Sequence, residues 1–199
     1  SSFLDMYVFS ASKYSVSNLL GYEVNAYYSL IFIPTSIINL MANFIIRPTL
    51  TRLSILYDKN NIKEFIKLVV KIMIGIILLT ALAVVAGYFL GMPTLSIVLG
   101  YDINEMLKLR FAFIILLVGG GFYAILNLLY YVLVIFEKRR EIFITYIISS
   151  IIAFLLSDRV TLKFGINGAA ILYALLMFLT ALMFGIFCIV AILNKSKKV

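Results

Sequence analysis

Charged residues are sparse along this chain, and their positions cut it into long apolar segments. None occurs from Val24 to Ile46, a run long enough for one helix across the roughly 30 Å hydrocarbon layer of a bilayer. Comparable runs predict spans at about 68–90, 111–136, 142–157 and 169–193. Residues 1–20 begin apolar, with Phe3, Leu4, Met6, Tyr7, Val8 and Phe9, but reach Lys13 too early to cross. They read as the end of a truncated helix followed by an outer loop. The expected fold class is therefore an all-α polytopic membrane protein with five full transmembrane helices plus a truncated one.

The connections are short. Arg47 to about Lys67 is hydrophilic and contains the turn-like Tyr57-Asp58-Lys59-Asn60-Asn61. In the mixed stretch Gly91 to Arg110, Pro93 and the apolar Leu95 to Leu99 predict a short helix or a re-entrant piece. Glu137-Lys138-Arg139-Arg140-Glu141 forms a tight basic turn, and Ser157-Asp158-Arg159 opens a connection through Lys163 to Gly168.

Composition agrees with this division. At 64% hydrophobic and 13% charged, 199 residues carry too little polar surface for a soluble globule. The net charge of +8 points to topology, not nucleic acid, because no basic run is interleaved with aromatics in a soluble module. Alternate connections hold Arg47, Arg52, Lys59, Lys63, Lys67, Lys71, Lys138, Arg139, Arg140, Lys195, Lys197 and Lys198. The others hold Lys13, Lys108, Arg110, Arg159 and Lys163. The richer side is expected to be cytoplasmic, with the C-terminus inside. Histidine is absent and Cys188 is the single cysteine, which excludes disulfides within the chain, a Cys/His metal site and imidazole catalysis. No cofactor and no catalytic residue is expected. A start at Ser1 without a leader suggests a piece of a longer protein.

The polar residues of the first span are ordered. Asn25, Ser29, Ser36, Asn39 and Asn43 are spaced by 4, 7, 3 and 4, which at about 100° per residue puts them on one stripe. Such a stripe serves either as a cavity wall that hydrogen-bonds a polar cargo or as glue between helices. Pro34 lies mid-span and predicts a kink. In the third span Tyr123, Asn127 and Tyr130 share a face suited to stacking on and bonding sugar rings, although tyrosine also populates interfacial belts. Gly119-Gly120-Gly121 permits bending and close helix approach. Lys13, at the outer end of a cavity-side helix, and Arg47, at the inner end of the stripe, are candidate contacts for a diphosphate. Snorkelling and positive-inside topology account for the same two residues without a ligand. Asp5 is a candidate for titration in an ion-coupled cycle. Lys138 to Arg140 anchor topology and touch anionic lipid.

Several stretches resemble the second half of bacterial lipopolysaccharide and oligosaccharide flippases of the multidrug/oligosaccharidyl-lipid/polysaccharide exporter superfamily. They are Lys13-Tyr14, Leu20-Gly21, Ala26-Tyr27-Tyr28, Ile31-Phe32-Ile33-Pro34, Ile38-Asn39-Leu40 and Phe44 to Thr51, then Gly119-Gly120-Gly121-Phe122, Leu129 to Leu133 and Phe164 to Ala170. Relatives often carry Pro where Ser12 stands here. The resemblance implies one C-terminal lobe of a two-lobe transporter, comprising helices 8 to 12 and a remnant of helix 7. It further implies alternating-access export of an undecaprenyl-diphosphate-linked oligosaccharide across the bacterial cytoplasmic membrane, with lipids and a missing N-terminal lobe as partners. The competing readings are an integral-membrane glycosyltransferase or glycan polymerase, for which Asp102 and Glu105 are the only acidic candidates, and a drug or lipid II exporter of the same superfamily.

Overall fold

The computed structural model describes residues 2–100 and 102–196, with side chains throughout except at Ser2, Leu99 and Ser196. Lys197 and Lys198 of the basic tail lie outside the described residues. Every regular element is helical: α1 (Ser2–Leu20), α2 (Tyr22–Asp58), α3 (Ile62–Ala86), a π turn (Gly87–Gly91), α4 (Met92–Leu99), α5 (Ile103–Lys108), α6 (Arg110–Ile135) and α7 (Arg139–Ser196). Among the described residues, four helical stretches are long and apolar enough to cross a membrane: Tyr22–Asp58, Ile62–Val98, Arg110–Ile135 and Arg139–Lys195.

The last of these is a hairpin. Gly165 has non-helical torsions (φ 58°, ψ −139°), and hydroxyls 31 residues apart, Ser149 Oγ and Thr180 Oγ1, lie 2.8 Å from one another. In a straight helix those residues would be about 46 Å apart. Tyr146 and Phe184 also pair, with ring centroids 5.4 Å apart, so residues 139–164 and 166–196 form two antiparallel limbs about Gly165. A positive φ of this kind costs an L side chain energy that glycine avoids.

Pairings across the bundle fix the direction of each helix. Tyr28 donates to Ser12 Oγ (3.0 Å) and Phe9 meets Phe32, which makes α1 and α2 antiparallel. Ser15 donates to Asp158 Oδ1 (3.0 Å), and Asp5 lies beside Tyr146, so α1 runs parallel to the first limb of α7. The central helix is α6, and its glycine triplet explains how. A Cβ on Gly119 would fall 2.7 Å from the Tyr173 ring, one on Gly120 would fall 2.8 Å from Thr35 Cγ2, and one on Gly121 would overlap Thr80. Three consecutive residues thus point at three different helices, the second limb of α7, α2 and α3. In lipid, where apolar burial gives no driving force between helices, such backbone-close contacts supply the packing.

Helix α1 continues to Leu20, where an outer loop was expected, and the boundaries differ from the sequence reading in three further places. First, α2 does not end near Arg47 but continues through Pro48 to Asp58. Ile46 and Leu53 are buried, and Leu50 and Tyr57 pack on the core, a helical spacing that outweighs the missing N–H of one proline. Second, α3 runs on past Leu90 into α4. The π turn at its centre sets Gly87 and Gly91 against Phe113, with no room for a Cβ on either. Third, the expected connection after Ser157 is helical to residue 164, because Ser157 and Thr161 continue the buried face of Ser149 and Ala153 at four-residue steps and Asp158 finds Ser15. The turn at 57–61 stands where expected. Asn60 adopts a left-handed conformation (φ 54°) and Asn61 caps α3 by accepting from the Glu64 N–H at 3.3 Å.

Candidate functional site

The polar stripe of α2 is divided in two by its neighbours. Phe32 lies on the same face, between Ser29 and Ser36, and is buried beneath α1, with Phe9 edge-on at 5.4 Å and Lys13 Nζ 4.1 Å above its ring. Asn25 and Ser29, on the α1 side of Phe32, are half-buried, and Asn25 Oδ1 has no hydrogen-bond partner among the described residues. Beyond Phe32 the stripe opens. Ser36, Asn39, Asn43 and Arg47 line a groove of about 450 Å³ together with Leu40, Phe44 and Pro48. Ser36 and Arg47 are exposed, and Asn39 and Asn43 are half-buried.

The groove is tied to α6 through one strong contact. Asn127 Nδ2 donates to Asn39 Oδ1 at 2.6 Å, and Asn43 Nδ2 donates to the Asn39 carbonyl at 3.0 Å and to its Oδ1 at 3.4 Å. Tyr123 lies beside Asn127 and packs on Phe9 with ring centroids 4.8 Å apart. Asn39 therefore joins two helices through its amide oxygen while also lining the groove. Tyr130, two turns along α6 from Tyr123, meets Tyr131 at 5.6 Å and Phe184 at 6.5 Å. Its contacts are with α6 itself and the second limb of α7, away from the lining of the groove.

Lys13 is deeper than its expected place near the outer end of a helix. It stands about 12 Å along α1 from the turn at Gly21 and beside Phe32, two residues from Pro34. The cation over an aromatic face is partly compensated there. Arg47 lies about 22 Å along α2 from Phe32, so the fold does not bring Lys13 and Arg47 to one anion. Of the acidic pair raised for catalysis, Asp102 has a local duty: it caps α5 by accepting from the Asn104 backbone N–H at 3.1 Å and from its side chain at 3.3 Å. Lys138 pairs with Glu141 at 3.1 Å. Among the described residues no three acidic or sulfur side chains converge on a metal-sized site.

The residues missed by pattern reading are the buried polar pairs Ser12–Tyr28 and Ser149–Thr180, the half-buried pair Ser15–Asp158, and Thr35, which donates to the Leu116 carbonyl at 3.2 Å. Their signal was small hydroxyl residues repeating on the inner faces of helices. No protein-family model matches the chain, and no curated protein or solved structure matches it.

Proposed function

We propose that this chain is one lobe of a membrane exporter that moves a lipid-linked oligosaccharide, carried on undecaprenyl diphosphate, across the bacterial cytoplasmic membrane by alternating access. In this reading α1, α2, the α3–α4 rod, α6 and the two limbs of α7 cross in alternation, five full spans after a shorter first one. The distribution of lysine and arginine then sets the C-terminus in the cytoplasm. The observation that carries the proposal is the open half of the stripe. An exposed serine, two asparagines and an arginine on one face of a membrane helix are costly beside hydrocarbon, and the groove they line is wide enough for a polar head group. Neutral amides and hydroxyls suit sugar hydroxyls, and Arg47 at the end of the groove suits phosphate. The missing wall belongs to a second lobe, and the cycle needs no bond chemistry from these residues. The capping duty of Asp102 weighs against the transferase reading.

The test is surface glycan in the producing cell. Asn39→Leu and Ser36→Leu are each expected to lower it, Ser36→Leu with protein abundance unchanged. Unaltered glycan in both variants overturns the assignment of the groove to cargo.

A further inference from the structure

A second groove lies on the other side of α6, between α3 and the second limb of α7, with a volume of about 420 Å³. Its walls are apolar, among them Val70 and Met73 of α3, Phe122 and Ile125 of α6, and Phe178 and Ile189 of α7. The one thiol, Cys188, is directed to the Leu129 carbonyl at 3.6 Å. From Phe178 to Ile192 the groove follows about 21 Å of helix, somewhat more than one leaflet of a 30 Å hydrocarbon core. Gly185 forms part of its floor, and a Cβ there would meet nothing nearer than Leu129 Cδ1 at 3.9 Å. The absent side chain keeps the groove deep.

One mouth of this groove is basic. Lys63 precedes Ile66 by one turn of α3 and Lys195 follows Ile192 by one turn of α7, so each lysine continues a groove-lining row. Both lie at the same end, where Lys195 sits 4.4 Å over Tyr57 and Phe136 packs on Tyr57 and Phe65. Lys63 is exposed and makes no ion pair among the described residues, and its acidic neighbour Glu64 is paired with Lys67 at 3.7 Å. We infer that the groove holds one acyl chain of an anionic membrane phospholipid, whose headgroup phosphate is met by Lys63 and Lys195. An apolar channel about a leaflet long takes a hydrocarbon chain. Two lysines at its mouth select a phosphate without a compensating cation, since a choline headgroup carries its own. This site is separate from the polar groove of α2 and does not depend on the cargo assigned to it.

The test is native mass spectrometry of the full-length protein purified in detergent with phosphatidylglycerol or phosphatidylcholine. One phosphatidylglycerol is expected to stay bound per chain under activation that strips phosphatidylcholine. Gly185→Leu, which fills the channel, is expected to lower that retention at least tenfold with the melting temperature unchanged, and Lys63→Gln to lower it about fivefold, corresponding to about 1 kcal/mol. Equal retention of the two lipids, or phosphatidylglycerol retention unaffected by Gly185→Leu, overturns the inference. So does a stable dimer that Gly185→Leu dissociates, because the groove would then seat a second copy. If Gly185→Leu lowers the melting temperature, Lys63→Gln alone decides, and retention equal to that of the unaltered protein overturns the proposal.

Discussion

The groove along α2 and the groove between α3, α6 and α7 have nearly the same volume, about 450 and 420 Å³, and both open at the margin of the bundle. The first presents Ser36, Asn39, Asn43 and Arg47, and the second presents hydrocarbon. They lie on opposite sides of α6, which sends Asn127 toward Asn39 and sets Phe122 and Ile125 on the other face. In a soluble protein the apolar groove would be the anomaly. In a membrane it is at rest against lipid, and the polar one requires water, cargo or another polar wall. Volume says little here about use, whereas the satisfaction of polar atoms says a good deal.

The sharpest contrast is between two glycines on the two sides. Gly120→Leu would drive a side chain into Thr35, whose backbone oxygen and Cα stand 3.2 and 3.3 Å from the Cβ position and cannot move aside. A loss of about 3 kcal/mol is expected, read as a large fall in melting temperature in detergent. Gly185→Leu, by contrast, points into open groove and should stay within about 0.5 kcal/mol of the parent. Equal losses would mean that α6 does not separate the two regions as described. Next in size, Asn39→Leu strands the Asn127 amide and is expected to cost about 1 to 2 kcal/mol. Adding Asn127→Leu should recover part of it, with a coupling of about 0.6 to 1.7 kcal/mol in a double-mutant cycle. Zero coupling would reduce the 2.6 Å contact to coincidence. Ser36→Leu breaks no hydrogen bond and should leave stability within about 0.5 kcal/mol while still lowering glycan export. That result would separate the groove's function from its role in packing. Ser149→Ala in the α7 hairpin is expected to cost about 0.6 kcal/mol.

Much of this was legible in the chain. The apolar runs marked every helix that is long enough to cross, and the spacing of Ser36, Asn39 and Asn43 marked one face that the fold leaves open. What misled was punctuation. Pro48 and the charged Asp158 looked like ends of helices, yet both lie inside them, because Leu53 and Ser157 carry the buried rows onward and a single proline or one satisfied carboxylate interrupts too little. The burial of Phe32 under Lys13 was not readable either. It depends on α1 crossing α2, and nothing within either helix specifies that meeting. The apolar groove was invisible for a similar reason, since a groove between three helices has no period in any one of them.

The claim beneath all of this is that the face of α2 beyond Phe32 meets an aqueous path. Single cysteines at 36, 43 and 41, placed in a Cys188→Ala background and exposed to a membrane-impermeant thiol reagent, test it directly. Met41 is 48% exposed and lies on the opposite side of the helix, in an apolar groove against α3. The account predicts labelling at 36 and 43 and none at 41. If 36 and 43 react no faster than 41, the groove is dry and the account is wrong.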